Sequence, residues 1–175
     1  ILPEAVFVGE EDDVHVSIKK GFAFIVDPID GTTNFIKDYH VSAISVGLAK
    51  DGEKYIGVVY NPYLDEMFTA ERGKGAFLNG RPIHVSRNPL SEGIVLFGTA
   101  PDVRRSGSAA IDLCSIAAGR AELYFELRLS PWDFAAGALI VEEAGGVVTT
   151  VEGGAVTLGQ KCSVLATNGR CGRLE

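Results

Sequence analysis

The stretch Gly21-Phe22-Ala23-Phe24-Ile25-Val26-Asp27-Pro28-Ile29-Asp30-Gly31-Thr32-Thr33-Asn34-Phe35 runs an apolar segment into two carboxylates, a glycine and two hydroxyls. Gly21 to Val26 has the length and composition of a buried strand, which sets Asp27 and Asp30 at its tip. Two negative charges three residues apart are costly there unless a cation neutralises them or water reaches them. If a helix or turn starts at Gly31-Thr32-Thr33, its free backbone N–H groups can take phosphate oxygens, with Gly31 permitting close approach. Taken alone, those three residues read more readily as an ordinary cap and turn. Beside Asp27 and Asp30 they read as half of a metal and phosphate site. Cations near a bound phosphate can activate a water and stabilise the leaving oxygen without a protein nucleophile.

Working outward, Ile44, Val46 and Leu48 alternate with small residues, Lys50 to Lys54 reads as a turn, and Tyr55 to Tyr60 as a second strand closed by Asn61-Pro62. Met67 to Ala70, Ala76 to Leu78 and Ile83 to Val85 follow, with Asn79-Gly80 as a hairpin signal, so the first half is expected to form an antiparallel meander. The period then changes. Ala109, Ala110, Leu113, Ile116 and Ala117 form a helical apolar face, Leu123 to Leu127 reads as a strand, and Ser130-Pro131 starts a helix that Gly145-Gly146 stops. Val147 to Val151 and Val164 to Thr167 complete an α/β sandwich with mixed sheets.

Two more acids extend the site. Glu10-Glu11-Asp12-Asp13 follows the apolar segment Ala5 to Val8 and Gly9. Such a run is commonly a solvated loop; if the two apolar segments pair in one sheet, Glu10 ends at the same edge as Asp27 and can share its cation. Asp133 falls in the first turn of the second helix, where it either complements the helix dipole or joins the site. Glu10, Asp27, Asp30 and Asp133 with the Ile29 carbonyl make an all-oxygen shell, which suits Mg²⁺, Mn²⁺ or Ca²⁺ rather than zinc. An EF-hand is excluded because Ile29 stands where its loop needs an oxygen side chain.

With 175 residues, one domain over 1–175 is expected. A net charge of −7 without a concentrated basic stripe argues against nucleic acid and anionic membranes as partners and favours small molecules. Three unpaired-looking cysteines, Cys114, Cys162 and Cys171, fit a reducing, cytoplasmic setting. His15, His40 and His84 lack ligand spacing and are read as surface or turn residues, and Cys114 as a core residue.

The chain resembles the inositol monophosphatase family of magnesium-dependent, lithium-sensitive phosphatases. Gly9-Glu10-Glu11, Asp27 to Phe35, and Trp132-Asp133 with Ala135-Ala136-Gly137 and Glu143-Ala144-Gly145-Gly146 carry the resemblance, supported by Gly73-Lys74-Gly75-Ala76-Phe77 and Asn79-Gly80. It implies a layered αβαβα-type sandwich with mixed and antiparallel sheets. It further implies two or three Mg²⁺ ions, with Mn²⁺ as an alternative, held by Glu10, Asp27, the Ile29 carbonyl, Asp30 and Asp133. Glu10 and Thr32 would position the attacking water, and Gly31 and Thr32 the phosphate. Asp30, Glu126 and the backbone at Ala109 would meet the substrate, although by spacing alone Glu126 reads equally as a solvent-facing strand end. The implied reaction is hydrolysis of a phosphate monoester of inositol or a similar polyol, by a homodimer. Fructose bisphosphatase, nucleotide 3′-phosphatase and histidinol phosphatase share the metal motif, and a non-catalytic metal or polyol-phosphate binding module is the alternative of another class.

Three departures stand out. The family's upstream helix pair has no counterpart before Gly9, and the upstream acid that pairs with the residue matching Thr32 is missing with it. Between Ile94 to Gly98 and Arg104-Arg105-Ser106-Gly107 a helix and a strand of the family are absent, and the ending after Asn168-Gly169-Arg170 is abrupt. Either the protein is reduced at these places or, the favoured expectation, segments have been dropped and their neighbours joined; a continuous chain would keep Cα atoms around Pro101 to Val103 at the usual ~3.8 Å.

Overall fold

The computed structural model describes residues 2, 4–10, 18–96 and 103–170. Glu11, Asp12, Asp13, His15, Cys171 and the Pro101 to Val103 spacing therefore lie outside the described residues or straddle their edge. Seven strands form one sheet in chain order: β1 (Val6–Gly9), β2 (Phe22–Asp30), β3 (Ala43–Lys50), β4 (Glu53–Asn61), β5 (Glu66–Glu71), β6 (Ala76–Leu78) and β7 (Arg81–Ile83). From β2 onward this is the expected antiparallel meander, while β1 runs parallel to β2. The second sheet is mixed. Its order is β11 (Val147–Thr149), β12 (Cys162–Thr167), β10 (Leu123–Leu129), β8 (Val95–Leu96) and β9 (Val103–Arg104).

Several boundaries differ from those expected: β10 runs on to Leu129, β11 stops at Thr149 short of Val151, and two others shift for visible reasons. The turn between β3 and β4 is confined to Asp51-Gly52, because Lys50 and Glu53 already pair across the ladder. After Asn79-Gly80, β7 ends at Ile83, since the Val85 N–H turns away to donate to the Ala144 carbonyl at 3.1 Å.

Between the sheets lie α2 (Ala109–Ala117) and α3 (Pro131–Glu143), which pack on each other. Helix α3 crosses β2 to β6, while α2 also reaches β10 and β12. From Phe134 to Val141 every α3 residue is buried, as a helix enclosed by two sheets requires. Its approach to the large sheet depends on a glycine pair: Gly47 and Gly57 face each other across the β3–β4 ladder. A β-carbon on Gly57 would come within 2.6 Å of the Ala136 carbonyl oxygen, and one on Gly47 within 3.1 Å of the Ala135 β-carbon. One continuous apolar core results, joining Ile25, Val59 and Phe68 of the large sheet through Leu113, Ile116, Phe134 and Leu139 to Val164 and Ala166 of the small one. No helix among the described residues is long and apolar enough to cross a membrane.

Candidate metal and phosphate site

Alternation along β2 turns Ala23, Ile25 and Asp27 toward the helices. By the same alternation Asp30, an odd number of residues further on, would face the other way. A bulge corrects this: Asp27 pairs with Ser45 and Asp30 with Ala43, so β2 spends three steps where β3 takes two. Pro28, which has no N–H to contribute to the ladder, sits in that irregular stretch. Both carboxylates consequently end on the buried side, Asp27 at 2% and Asp30 at 6% exposure.

The chain then reverses at Gly31, whose φ of 90° starts the one-turn helix α1 (Thr32–Ile36). A β-carbon here would approach the Val41 carbonyl oxygen to 2.9 Å as well as straining the backbone. Thr32 Oγ1 donates to the Ile29 carbonyl at 3.0 Å, so the two residues expected to touch water and metal already touch each other. Asn34 Nδ2 donates to the carbonyls of Val41 and Ser106, both at 2.8 Å, and ties this turn to the segment that enters α2.

Asp30 is fixed from that same segment. Ser108 Oγ donates to Asp30 Oδ2 through a short hydrogen bond, and the Ala110 N–H donates to the same oxygen at 2.9 Å. The carboxylate thus meets the N-terminus of α2, whose own cap is Ser108 Oγ accepting from Ile111 N–H. Asp133 occupies the first turn of α3, as the Ser130-Pro131 signal anticipates, and its Oδ2 accepts the Ser130 N–H at 2.7 Å.

One ligand atom from each of Asp27, Asp30 and Asp133 lies within 4.8 Å of the others. Burial is the main reason that Asp27 is pushed up to about 7, with the charge of Asp30 adding to it. Burial also pushes Asp133 up to about 6, although its bond from Ser130 opposes this. Asp30 is raised by burial against the donors on α2. Three clustered carboxyls that resist ionisation, supplied only with oxygen donors, fit a hard divalent cation, whose charge reverses each of these penalties. Glu10 stands at a different distance. The β1–β2 register ends with Gly9 opposite Val26, placing Glu10 beside Asp27 as expected, but Glu10 is exposed in the turn and outside the tight carboxylate group. Its charge nonetheless reaches all three acids.

A cavity of about 220 Å³ opens against this cluster. Asp30, Asp133, Ala109 and Glu126 all line it, so four sequence-derived candidates from four separate elements share one wall. Gly31 and Thr32 do not line it; Gly31 adjoins it through Gly107 and Ser108. Sequence reasoning passed over Arg105, Ser108 and Asp112, which also line the cavity. Asp112 carried a usable signal, an acid set among the apolar positions Ala110, Leu113 and Ile116 of one short helix. Arg105 lies 3.9 Å from Glu126, and both line the cavity. His40 is exposed and Cys114 buried, as expected; His40 stacks on Tyr63 and pairs with Asp38.

The family profile described as "Inositol monophosphatase family" matches residues 1–101 and 92–173. This chain belongs to the inositol monophosphatase family. Among members of the family, the inositol-1-monophosphatase of Synechocystis sp. is 40% identical, aligning 96% of this chain with 66% of its own. The Nus factor SuhB of Salmonella typhimurium is likewise 40% identical, over 87% of this chain and 65% of its own length. The chain therefore spans just under two thirds of these curated relatives. Among solved structures, inositol monophosphate-bound SaIMPase-II superposes with a TM-score of 0.92 at 32% identity, covering 97% of this chain and 73% of that one. The 2'AMP-bound form of the same protein gives 0.90 at 31%, with the same coverage. The mixed α/β architecture is thus that of the inositol monophosphatases, here as the incomplete sandwich of two sheets around α2 and α3.

Proposed function

We propose that this chain is a divalent-cation-dependent phosphatase acting on a phosphate monoester of inositol or a similar polyol. The observation that carries the reading is the juxtaposition of Asp27, Asp30 and Asp133 with a cavity that also takes in Ala109 and Glu126. Asp27, Asp30, Asp133, Glu10 and the Ile29 carbonyl would hold the cations, Mg²⁺ by preference and Mn²⁺ as a substitute. When bound, such cations supply the charge that stabilises the leaving oxygen and lowers the pKa of the attacking water. The chain's own residues do the placing. Thr32 Oγ1 and Glu10 orient the water, the N–H groups of Gly31 and Thr32 hold phosphate oxygens, and Asp30, Glu126 and the Ala109 backbone meet the alcohol portion. A cavity of this volume suits one small polyol phosphate.

Residues 1–175 are read as one domain, working in the cytoplasm as a homodimer with the meander surface at its interface and sensitive to lithium. The inositol monophosphate seen in SaIMPase-II supports the substrate class, while the 2'AMP complex supports the nucleotide phosphatase alternative. Phosphate release from inositol, fructose, nucleotide and histidinol phosphates, with Mg²⁺ and with EDTA, decides among them. Mg²⁺-dependent turnover highest on inositol monophosphate is the expected result. A second reading, a Nus factor as the 40% identical SuhB is named, is favoured if the chain binds Mg²⁺ yet releases phosphate from none of these esters.

A further inference from the structure

A serine hydroxyl carries a single proton, so a buried serine that caps a helix as an acceptor has that proton left to place elsewhere. Ser108 is such a residue. It is 1% exposed, its Oγ accepts the Ile111 N–H at 3.2 Å, and its proton goes to Asp30 Oδ2. The Ala110 N–H reaches that same carboxylate oxygen at 2.9 Å. Two donors on Oδ2 occupy the lone-pair sites that a cation would need there. The backbone that carries the hydroxyl is itself held. The Ser108 N–H donates to Ser106 Oγ and the Ser108 carbonyl accepts from that hydroxyl, both at 3.0 Å, while Asn34 Nδ2 donates to the Ser106 carbonyl at 2.8 Å. A β-carbon on Gly31 would come within 3.4 Å of the Ser108 β-carbon, so the turn after Asp30 also packs close against it.

We infer that Ser108 is a positioning residue: with the Ala110 N–H it fixes Asp30 by Oδ2, so that Asp30 offers a cation the single oxygen Oδ1; this rests on the reading of Asp30 as a cation ligand. A carboxylate limited to one oxygen bears on which cation the cluster takes. Mg²⁺ demands near-ideal octahedral geometry, whereas Ca²⁺ takes more oxygens in looser arrangements and accepts both oxygens of one carboxylate. Removing the Ser108 hydroxyl frees an acceptor site on Oδ2 and lets Asp30 turn to chelate through both oxygens. The loss therefore falls on Mg²⁺ and largely spares Ca²⁺, a change of selectivity that a weakened α2 cap by itself does not produce.

The test is Mg²⁺ and Ca²⁺ binding to the 175-residue chain by titration calorimetry, with no ester present, in wild type, Ser108→Ala and Ser108→Cys. Ser108→Ala should weaken Mg²⁺ binding by about tenfold, the usual scale for a partner behind a metal ligand, and Ca²⁺ binding by less than about threefold. Ser108→Cys replaces the hydroxyl by a weak donor without emptying the site, should move the ratio the same way, and decides the matter should Ser108→Ala not fold. Wild-type Mg²⁺ affinity in Ser108→Ala or, failing that, in Ser108→Cys overturns the assignment, as do equal losses for the two cations. Mg²⁺ binding by wild type without release of any phosphate removes the phosphatase reading and leaves the role of Ser108 standing. No Mg²⁺ binding by wild type overturns both.

Discussion

Asp27 illustrates how a residue can oppose the fold while serving the proposed cation site. Its carboxyl is raised to about 7, against roughly 3.9 in an unfolded chain, so near neutral pH its ionised form is disfavoured in the metal-free fold. Asp27→Asn keeps an oxygen to accept the Ile29 N–H, now taken by Asp27 Oδ1 at 2.9 Å, and discards the charge. It should raise Tm in EDTA by roughly 3–8 °C for a chain of this size while removing most cation binding. An unchanged or lower Tm in calorimetry would sink the claim. Asp133→Asn should spare the helix cap, because an oxygen can still accept the Ser130 N–H, but lower Mg²⁺-dependent turnover by about 100-fold, in line with loss of a cation ligand. Full activity removes Asp133 from the site. The pH dependence has a definite sign. Between about pH 4, where free carboxyls titrate, and about pH 7, where Asp27 titrates in the fold, with Asp133 near 6, the folded chain binds more protons than the unfolded one. Metal-free stability should therefore fall as pH rises through this window. Saturating Mg²⁺ should flatten the slope because it holds the carboxylates deprotonated. Urea unfolding at pH 5 and pH 7.5, with and without Mg²⁺, measures it, and greater metal-free stability at pH 7.5 contradicts it.

At the scale of elements, α3 sits where two glycines let it sit. Gly57→Ala sets a β-carbon against backbone, which cannot rotate away as a side chain could. It should cost about 1–3 kcal/mol in chemical denaturation. Gly159→Ala, which meets nothing within 4 Å, serves as the comparison and should be near neutral. Elements defined by neighbouring residues were legible from sequence: the start of α3 at Ser130-Pro131, its stop at Gly145-Gly146, and the turn at Asn79-Gly80. So were Asp27, Asp30 and Asp133, because carboxylates at a strand tip and in a first helical turn are local anomalies. What could not be read locally was their assembly. Ser108 and Asp30 are 78 residues apart, and nothing near either announces the hydrogen bond between them. The bulge that turns Asp30 inward depends on how β2 meets β3, and the place of the short strands in the second sheet depends on partners distant in sequence, Val95 pairing with Leu123 and Val147 with Thr167.

Over the whole molecule, the apolar core is continuous from the meander through both helices to the second sheet, and the candidate ligands come from both β2 and α3. Unfolding should be a single cooperative transition, with circular dichroism and Trp132 fluorescence coincident. Trp132 is the sole tryptophan and precedes Asp133, so its emission follows the site and the fold together. Mg²⁺ at about 100 times its Kd should add about 2.7 kcal/mol, or roughly 5–11 °C in Tm. Two separated transitions, or a Tm indifferent to Mg²⁺, would contradict this picture.

The bond from the Ser130 amide to Asp133 Oδ2 has one more consequence. A backbone proton held 2.7 Å, donor to acceptor, from a carboxylate resonates far downfield, and its frequency depends on the charge of that oxygen. Proton uptake and cation capture both change that charge. The Ser130 amide resonance in a nitrogen-edited NMR spectrum is therefore a built-in indicator that distinguishes the empty, protonated and cation-loaded forms of the protein without any label placed in the cavity.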